Sequence, residues 1–392
     1  MKLMLDTLGS RPSRSAFVRA ATLFAAALLA SACGDDTSTG GAGGSPSGGN
    51  GSGASSSGGS GDGGTAQQGG GGSSGTAGSS SGGSGQGGDP GTGGSGGGTP
   101  NPVPDPNLDG PYSTSSVDDS INVAGSGDTV PLTAYYPVSG PNNGPYPLVV
   151  IAHGFQLPAS QYTNYATRLA SFGYVAVLAD YPTSFFGLSH VDVATDLLAS
   201  VDWALADATV GGLIDSQKIG MTGHSLGGKT SLLAATMDSR VRAVIGIDPV
   251  DSSMNCSAAD CPDVSMLMPT LAIPTGFVGE TTDSGGGFQP CAPAADNYAT
   301  FYAGAQAPSF SVTVNGANHM SFLDDVASCG FTCSFCQTAT ADNATVNDLA
   351  VAYVTAFFER RLRNLTAYDD YLTGATAQAR YVTPGLATIT SK

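Results

Sequence analysis

The sequence predicts an α/β domain in which a mostly parallel sheet is covered by helices on both faces, and three observations predict it. Runs rich in β-branched residues alternate with runs of helical periodicity, several strand-like runs are continuously apolar, and two short β-rich runs flank a turn at the start. That opening pair, residues 117–123 and 130–136 around "GSGD", reads as an antiparallel hairpin. "PLVVIAHG" is a buried strand, "SQYTNYATRLASFG" a helix closed by Gly173, and "YVAVLADY" the next strand. A helix over 191–207, the strand "KIGMTG" and a helix over 230–240 come next. Strands are then expected at 241–247, 270–278 and 309–316, and a last helix over about 343–363. The last helix carries Leu349, Val354, Phe357 and Leu362 on an apolar stripe that packing against the sheet explains.

A hairpin leading into such a sheet suits the α/β-hydrolase fold, so the strand ends are where chemistry is to be sought. One of them admits two templates. "GHSLGGKT", residues 223–230, reads as the nucleophile elbow G-x-S-x-G holding Ser225, and also as the phosphate-cradling G-x-x-x-x-G-K-T ending in Lys229 and Thr230. Ser225 lies between a predicted strand and a predicted helix with Gly223 and Gly227 at its sides, the context that a strained, outward-facing serine needs.

A serine hydroxyl attacks only when a base removes its proton, and the chain has four histidines. His153 ends a strand in "AHGF", His190 begins a helix on its exposed side, and His224 is the variable residue of the elbow. His319, in "NGANHMSF", comes after the last predicted strand and is the only histidine after Ser225, as the order serine, acid, histidine requires. For the acid, Asp248 at the end of "AVIGI" is the choice, with Asp251, Glu280 and Asp283 as alternatives. The oxyanion donors of this fold come from the residue after the nucleophile and from the loop after the third strand, which selects the backbone N–H groups of Leu226 and Phe155. His153 then shapes that loop rather than titrating in catalysis. Phe185, Phe186, Met266, Leu267 and Met268 lie between core elements and are candidates for lining a substrate pocket.

The amino-terminal third reads differently. Lys2, Arg11, Arg14 and Arg19 precede an apolar run at 20–30 that is shorter than the roughly 20 residues of a bilayer-spanning helix, the pattern of a signal peptide. "ASAC" resembles the bacterial lipobox, which implies acylation of Cys33 and a mature chain that begins there; secretion with a free Cys33 is the alternative. Residues 34–109 are almost wholly Gly, Ser, Thr, Asp, Gln and Pro and cannot offset the entropy of an ordered backbone. They read as a disordered tether whose root-mean-square span is about 45 Å. The folded domain is then 110–392. Removing residues 1–33 leaves 10 basic against 30 acidic side chains, a surface that repels nucleic acid and anionic lipid, so the lipid anchor is the only membrane contact expected.

Excluding Cys33, six cysteines remain, an even number that points to three disulfides in an exported domain without selecting the pairing. A zinc site on "CGFTCSFC" is the rival reading. Export also counts against the phosphate-loop reading, because nucleotide triphosphates are kept inside the cell.

"AHGFQ", "GHSLGGKT", "AVIGIDPVD", "QPCAP", "NYATFY" and "NHMSFLDD" before a cysteine cluster resemble, in that order, the chlorophyllases, serine esterases of the α/β-hydrolase fold. The resemblance spans roughly residues 148–358 and implies Ser225, Asp248 and His319 as the triad, with Lys229 and Thr230 merely continuing the elbow helix. Leu226 stands where chlorophyllases usually carry Arg. A weaker similarity extends to cutinase-like polyester hydrolases and dienelactone-hydrolase relatives. The expected function is cleavage of carboxylic esters through an acyl-enzyme, with no metal or organic cofactor implied and with lipid, chlorophyll-type and polyester esters all open as substrates. Two readings of other classes stand beside it: a phosphate-loop nucleotide-binding protein using Lys229 and Asp248, and a catalytically inactive hydrolase fold that binds a partner at the cell surface.

Overall fold

The computed structural model describes residues 103–184, 186–252, 256–284 and 291–392. The expected signal peptide, Cys33, the tether up to residue 102 and Phe185 lie outside the described residues. The strands are β1 (Ser113–Asn122), β2 (Thr129–Ser139), β3 (Tyr146–Ala152), β4 (Val175–Ala179), β5 (Ile214–His224), β6 (Val241–Ile247), β7 (Thr275–Glu280), β8 (Ser309–Val314) and β9 (Ala387–Ser391). They form one sheet in the order β1-β2-β4-β3-β5-β6-β7-β8-β9. β1 and β2 make the expected hairpin, β3 to β8 run parallel, and β2 and β9 flank them antiparallel. This is the α/β-hydrolase fold.

Both faces are covered, because successive strand residues point to opposite sides. Val149 and Ile151 of β3 pack with α1 (Thr163–Ser171) and α5 (Asn343–Arg361) through Tyr165, Leu169, Leu349 and Phe357. Leu148, Val150 and Ala152 face α2 (His190–Ala206), α3 (Leu226–Met237) and α4 (Tyr298–Gly304) through Leu197, Leu232 and Phe301. Strands buried on both faces have no polar side to alternate with, so "PLVVIA" and "VAVLA" are continuously apolar.

Four features depart from expectation. β7 starts at Thr275, not 270, since Ser265–Thr270 is a 3₁₀ turn and Pro274, lacking an N–H, cannot extend the ladder. The edge strand β9 and the seven-residue α4 are too short for a period to announce them. Residues 103–109 belong to the domain despite their linker-like composition. Arg380 pairs with Asp105, Tyr368 Oη donates to Pro104 O at 2.9 Å, and Arg168 Nη1 donates to Pro106 O at 2.7 Å.

Candidate active site

Ala152 of β3 is in register with Gly223 of β5, and His224 with Ile247 of β6, so the segments leaving these three strands emerge side by side. Ser225 sits at the crest of the second, with φ 55° and ψ −119°, a conformation that residues with a Cβ avoid unless their surroundings over-determine it. The surroundings do so. Its N–H donates to Ile247 O at 3.0 Å and α3 starts on its carboxyl side. A Cβ at Gly227 would lie 2.3 Å from Ala152 O, and one at Gly223 would lie 2.5 Å from Gly227 C, so neither flanking position admits a side chain.

His319 opens a 3₁₀ turn, His319–Phe322, held by a capping box between Asn318 and Ser321. Its Nε2 lies 2.8 Å from Ser225 Oγ and its Nδ1 2.6 Å from Asp248 Oδ2. Ser225 donates to Nε2 and the Nδ1 proton goes to the carboxylate, which defines the tautomer a general base needs. Asp248 comes directly after β6 with φ 41° and donates its own N–H to Val278 O at 2.6 Å. Burial pushes its carboxyl up, and the hydrogen bond from His319 pulls it back toward the ionised form.

The other acids have separate partners. Asp251 pairs with Lys229 at 2.9 Å and accepts from the N–H groups of Val264 and Ser265. Glu280 turns back onto the N–H groups of Thr282 and Asp283; burial, then the Asp248 charge, push its carboxyl up to about 8. Asp283 does reach His319, but through the main chain: Oδ2 accepts the His319 N–H at 2.9 Å and Oδ1 accepts Gln337 N–H at 2.9 Å. No sequence pattern signals that bond, because it joins a turn to a backbone group 36 residues away.

Leu226 directly follows Ser225 as the first residue of α3, where helix geometry leaves the N–H without an intrahelical acceptor, and Phe155 lies in the segment that leaves the neighbouring strand β3. The loop that carries Phe155 is pinned by His153. That ring stacks on Tyr181 at 4.0 Å, its Nε2 and Nδ1 lie 2.9 Å from Tyr181 O and 2.8 Å from Gly154 O, and Tyr181 Oη donates to His153 O. Burial lowers its pKa, while the carbonyl contacts and Asp180 at 3.6 Å oppose the shift. His190 is buried rather than exposed as expected, and burial, then the Lys229 charge, lower it to about 3.

Lys229 does not face a phosphate cradle. It is fully buried, donating to Asp251 O at 2.8 Å besides the ion pair, and Thr230 Oγ1 donates to Leu226 O at 2.9 Å. Of the pocket candidates, Phe186 and Met266 are exposed, Leu267 is partly buried and Met268 is in the core. The cysteines pair as Cys256–Cys261, Cys291–Cys336 and Cys329–Cys333, which uses the sulfurs of the "CGFTCSFC" segment in disulfides.

The chain is 34% identical over 220 residues to the bis(hydroxyethyl) terephthalate hydrolase of Streptomyces coelicolor, a match covering 55% of this chain and 62% of that protein. It is 26% identical over 253 residues to chlorophyllase-2 of Arabidopsis thaliana, covering 58% and 78%, and 30% identical over 148 residues to cutinase 2 of Thermobifida cellulosilytica, covering 36% and 54%. The family model described as chlorophyllase matches residues 109–379. The chain therefore belongs to the chlorophyllase family.

Proposed function

We propose that the protein is a serine hydrolase that cleaves carboxylic esters through an acyl-enzyme, with Ser225 as nucleophile, His319 as general base and acid, and Asp248 as the carboxylate that orients and stabilises the imidazole. The observation that carries the reading is the unbroken line Ser225 Oγ to His319 Nε2 and His319 Nδ1 to Asp248 Oδ2, at 2.8 and 2.6 Å. Ser225 Oγ attacks the ester carbonyl as His319 takes its proton. The tetrahedral oxyanion is met by the backbone N–H groups of Leu226 and Phe155. His319 then protonates the departing alcohol, and a water molecule takes the same path in reverse to release the acid and restore Ser225.

The relatives support an ester as substrate: their names attach bis(hydroxyethyl) terephthalate, chlorophyll and cutin to proteins similar to this one. Lipid, chlorophyll-type and polyester esters are the classes to compare. Three disulfides support an oxidising compartment, and with them an exported chain held at the cell envelope by an acylated Cys33 and the tether behind it.

Ser225→Ala should lose more than 99% of its turnover of a short p-nitrophenyl ester with its thermal unfolding midpoint unchanged. Undiminished turnover would refute the assignment. Turnover of bis(hydroxyethyl) terephthalate, chlorophyll and a long-chain triglyceride by the same preparation ranks the substrate classes. Failure of labelled palmitate to enter the full chain, against loss of that label in Cys33→Ala, distinguishes secretion from anchoring.

A further inference from the structure

We infer that His224, the residue before the nucleophile, is a positioning residue whose neutral imidazole, protonated on Nε2, ties the oxyanion loop to the main chain of His319. The inference rests on the serine-hydrolase reading above. Four buried groups form a continuous hydrogen-bonded line. Gly154 N lies 3.1 Å from Tyr162 Oη, Tyr162 Oη lies 2.8 Å from His224 Nδ1, and His224 Nε2 lies 2.8 Å from His319 O. Tyr162 and His224 are both fully buried, so no water takes the place of a missing partner at either ring.

The donors fix every proton on this line. Gly154 N–H can only donate, so Tyr162 Oη accepts there and its own proton is left for the opposite side. His319 O can only accept, so His224 Nε2 carries a proton. His224 Nδ1 is then bare and receives the Tyr162 hydroxyl proton. A second proton on the ring would occupy Nδ1 and leave the buried Tyr162 O–H without an acceptor, a cost that holds the ring neutral. Burial, then the neighbouring His319, act in the same direction and lower the pKa of His224 well below its ordinary value.

The two ends of the line are the two halves of the site. Gly154 precedes Phe155 in the oxyanion loop, and a Cβ added there would lie 3.0 Å from His224 Nδ1 and 2.8 Å from Leu157 Cδ1, so the loop backbone rests directly against this imidazole. The carbonyl of His319 belongs to the residue whose side chain moves the proton, and the two imidazoles lie 4.6 Å apart between centroids. Asp283 grips the N–H of His319 and His224 grips its C=O, so the base is held through its main chain from both sides. Both ring nitrogens of His224 are engaged by Tyr162 Oη and His319 O, so neither is offered to Ser225 Oγ. Its part is to keep the donor loop and the base in one frame while the charge develops.

The test uses the whole exported domain with ¹⁵N-labelled imidazoles, the four histidines being assigned by single His→Gln variants. The nitrogen shifts of His224 should report a proton on Nε2 and no titration between about pH 5 and pH 9. A ring protonated on Nδ1, or one that titrates in that range, overturns the inference. In kinetics, His224→Gln places an amide N–H near the Nε2 position and should keep kcat within roughly threefold. His224→Asn, whose amide reaches only the Nδ1 position, and Tyr162→Phe should each lose roughly tenfold in kcat with little change in KM. Equal losses in the Gln and Asn variants at matched unfolding midpoints would also overturn it. A fluorophosphonate probe on the wild type separates the two levels: if Ser225 is not labelled, the hydrolase reading fails, whereas a labelled wild type with the wrong His224 tautomer fails only this inference.

Discussion

Asp283 accepts the backbone N–H of His319 at 2.9 Å while leaving the imidazole of that residue to Asp248. Two buried carboxylates thus divide His319 between them, one holding its main chain and the other its ring. Removing the ring's partner loses the tautomer and the stabilisation of the imidazolium, whereas removing the backbone's partner only loosens the loop. Asp248→Ala should therefore lower kcat on a p-nitrophenyl ester by roughly 10⁴-fold, and Asp283→Ala by roughly tenfold. Equal losses in two variants of equal unfolding midpoint would refute this division.

The buried acids make stability fall as pH rises. Burial, then the charge of Asp248, push Glu280 up to about 8, and burial, then the charges of Asp128 and Asp192, push Asp196 up to about 7, with the Ser126 hydroxyl working against the latter shift. A group whose folded pKa exceeds its unfolded value stabilises fully below the unfolded value and loses that contribution as pH climbs through the folded one. The urea midpoint should accordingly drop between about pH 4.5 and pH 8.5, and Glu280→Gln and Asp196→Asn should each flatten the drop. A urea midpoint that rises over this range would contradict the assignment of these carboxyls.

Lys229 and Asp251 form an ion pair at 2.9 Å with the lysine fully buried. Lys229→Ala leaves a carboxylate in the interior without its cation and should cost about 3–5 kcal/mol. Replacing both partners by apolar residues should recover a large part of that loss, because no orphaned charge remains. Denaturant titration of the two variants checks this. A double variant no more stable than the single one would show that the carboxylate is satisfied without the lysine.

The disulfides should differ in weight. Cys291–Cys336 closes a separation of 45 residues and Cys329–Cys333 one of 4, which by chain entropy amounts to about 4 and about 2 kcal/mol. Cys291→Ala with Cys336→Ala should lower the unfolding midpoint more than the corresponding change in the shorter bridge. It should also lower kcat, since Gln337, which donates to Asp283, adjoins Cys336. Loss of stability with kcat untouched would separate the bridge from the site.

Much of this architecture is legible in the chain because it is local. The elbow is a motif of five residues, 223–227, and a strand-to-helix junction can be read from a change of period around it. The acid is less legible, since Asp248, Glu280 and Asp283 all stand at or just beyond the ends of parallel strands and only the register decides which carboxylate meets a ring and which meets a turn. Tyr162 has no signal at all: it is one of 14 tyrosines, and its role exists only because the turn into α1 brings its hydroxyl against the elbow. The phosphate-loop template misleads for a physical reason. Both motifs need glycines where a strand turns tightly into a helix, and the residue types beyond those glycines do not reveal whether a lysine points out to a ligand or inward to Asp251.

The Cys291–Cys336 bond also ties down the segment that reaches Asp283 through Gln337. With both thiols reduced, the segment that holds Asp283, and through it the backbone of His319, has no covalent tie across residues 291 and 336. Opening the bridge therefore loosens one of the two backbone N–H groups that Asp283 accepts, while the other stays with His319.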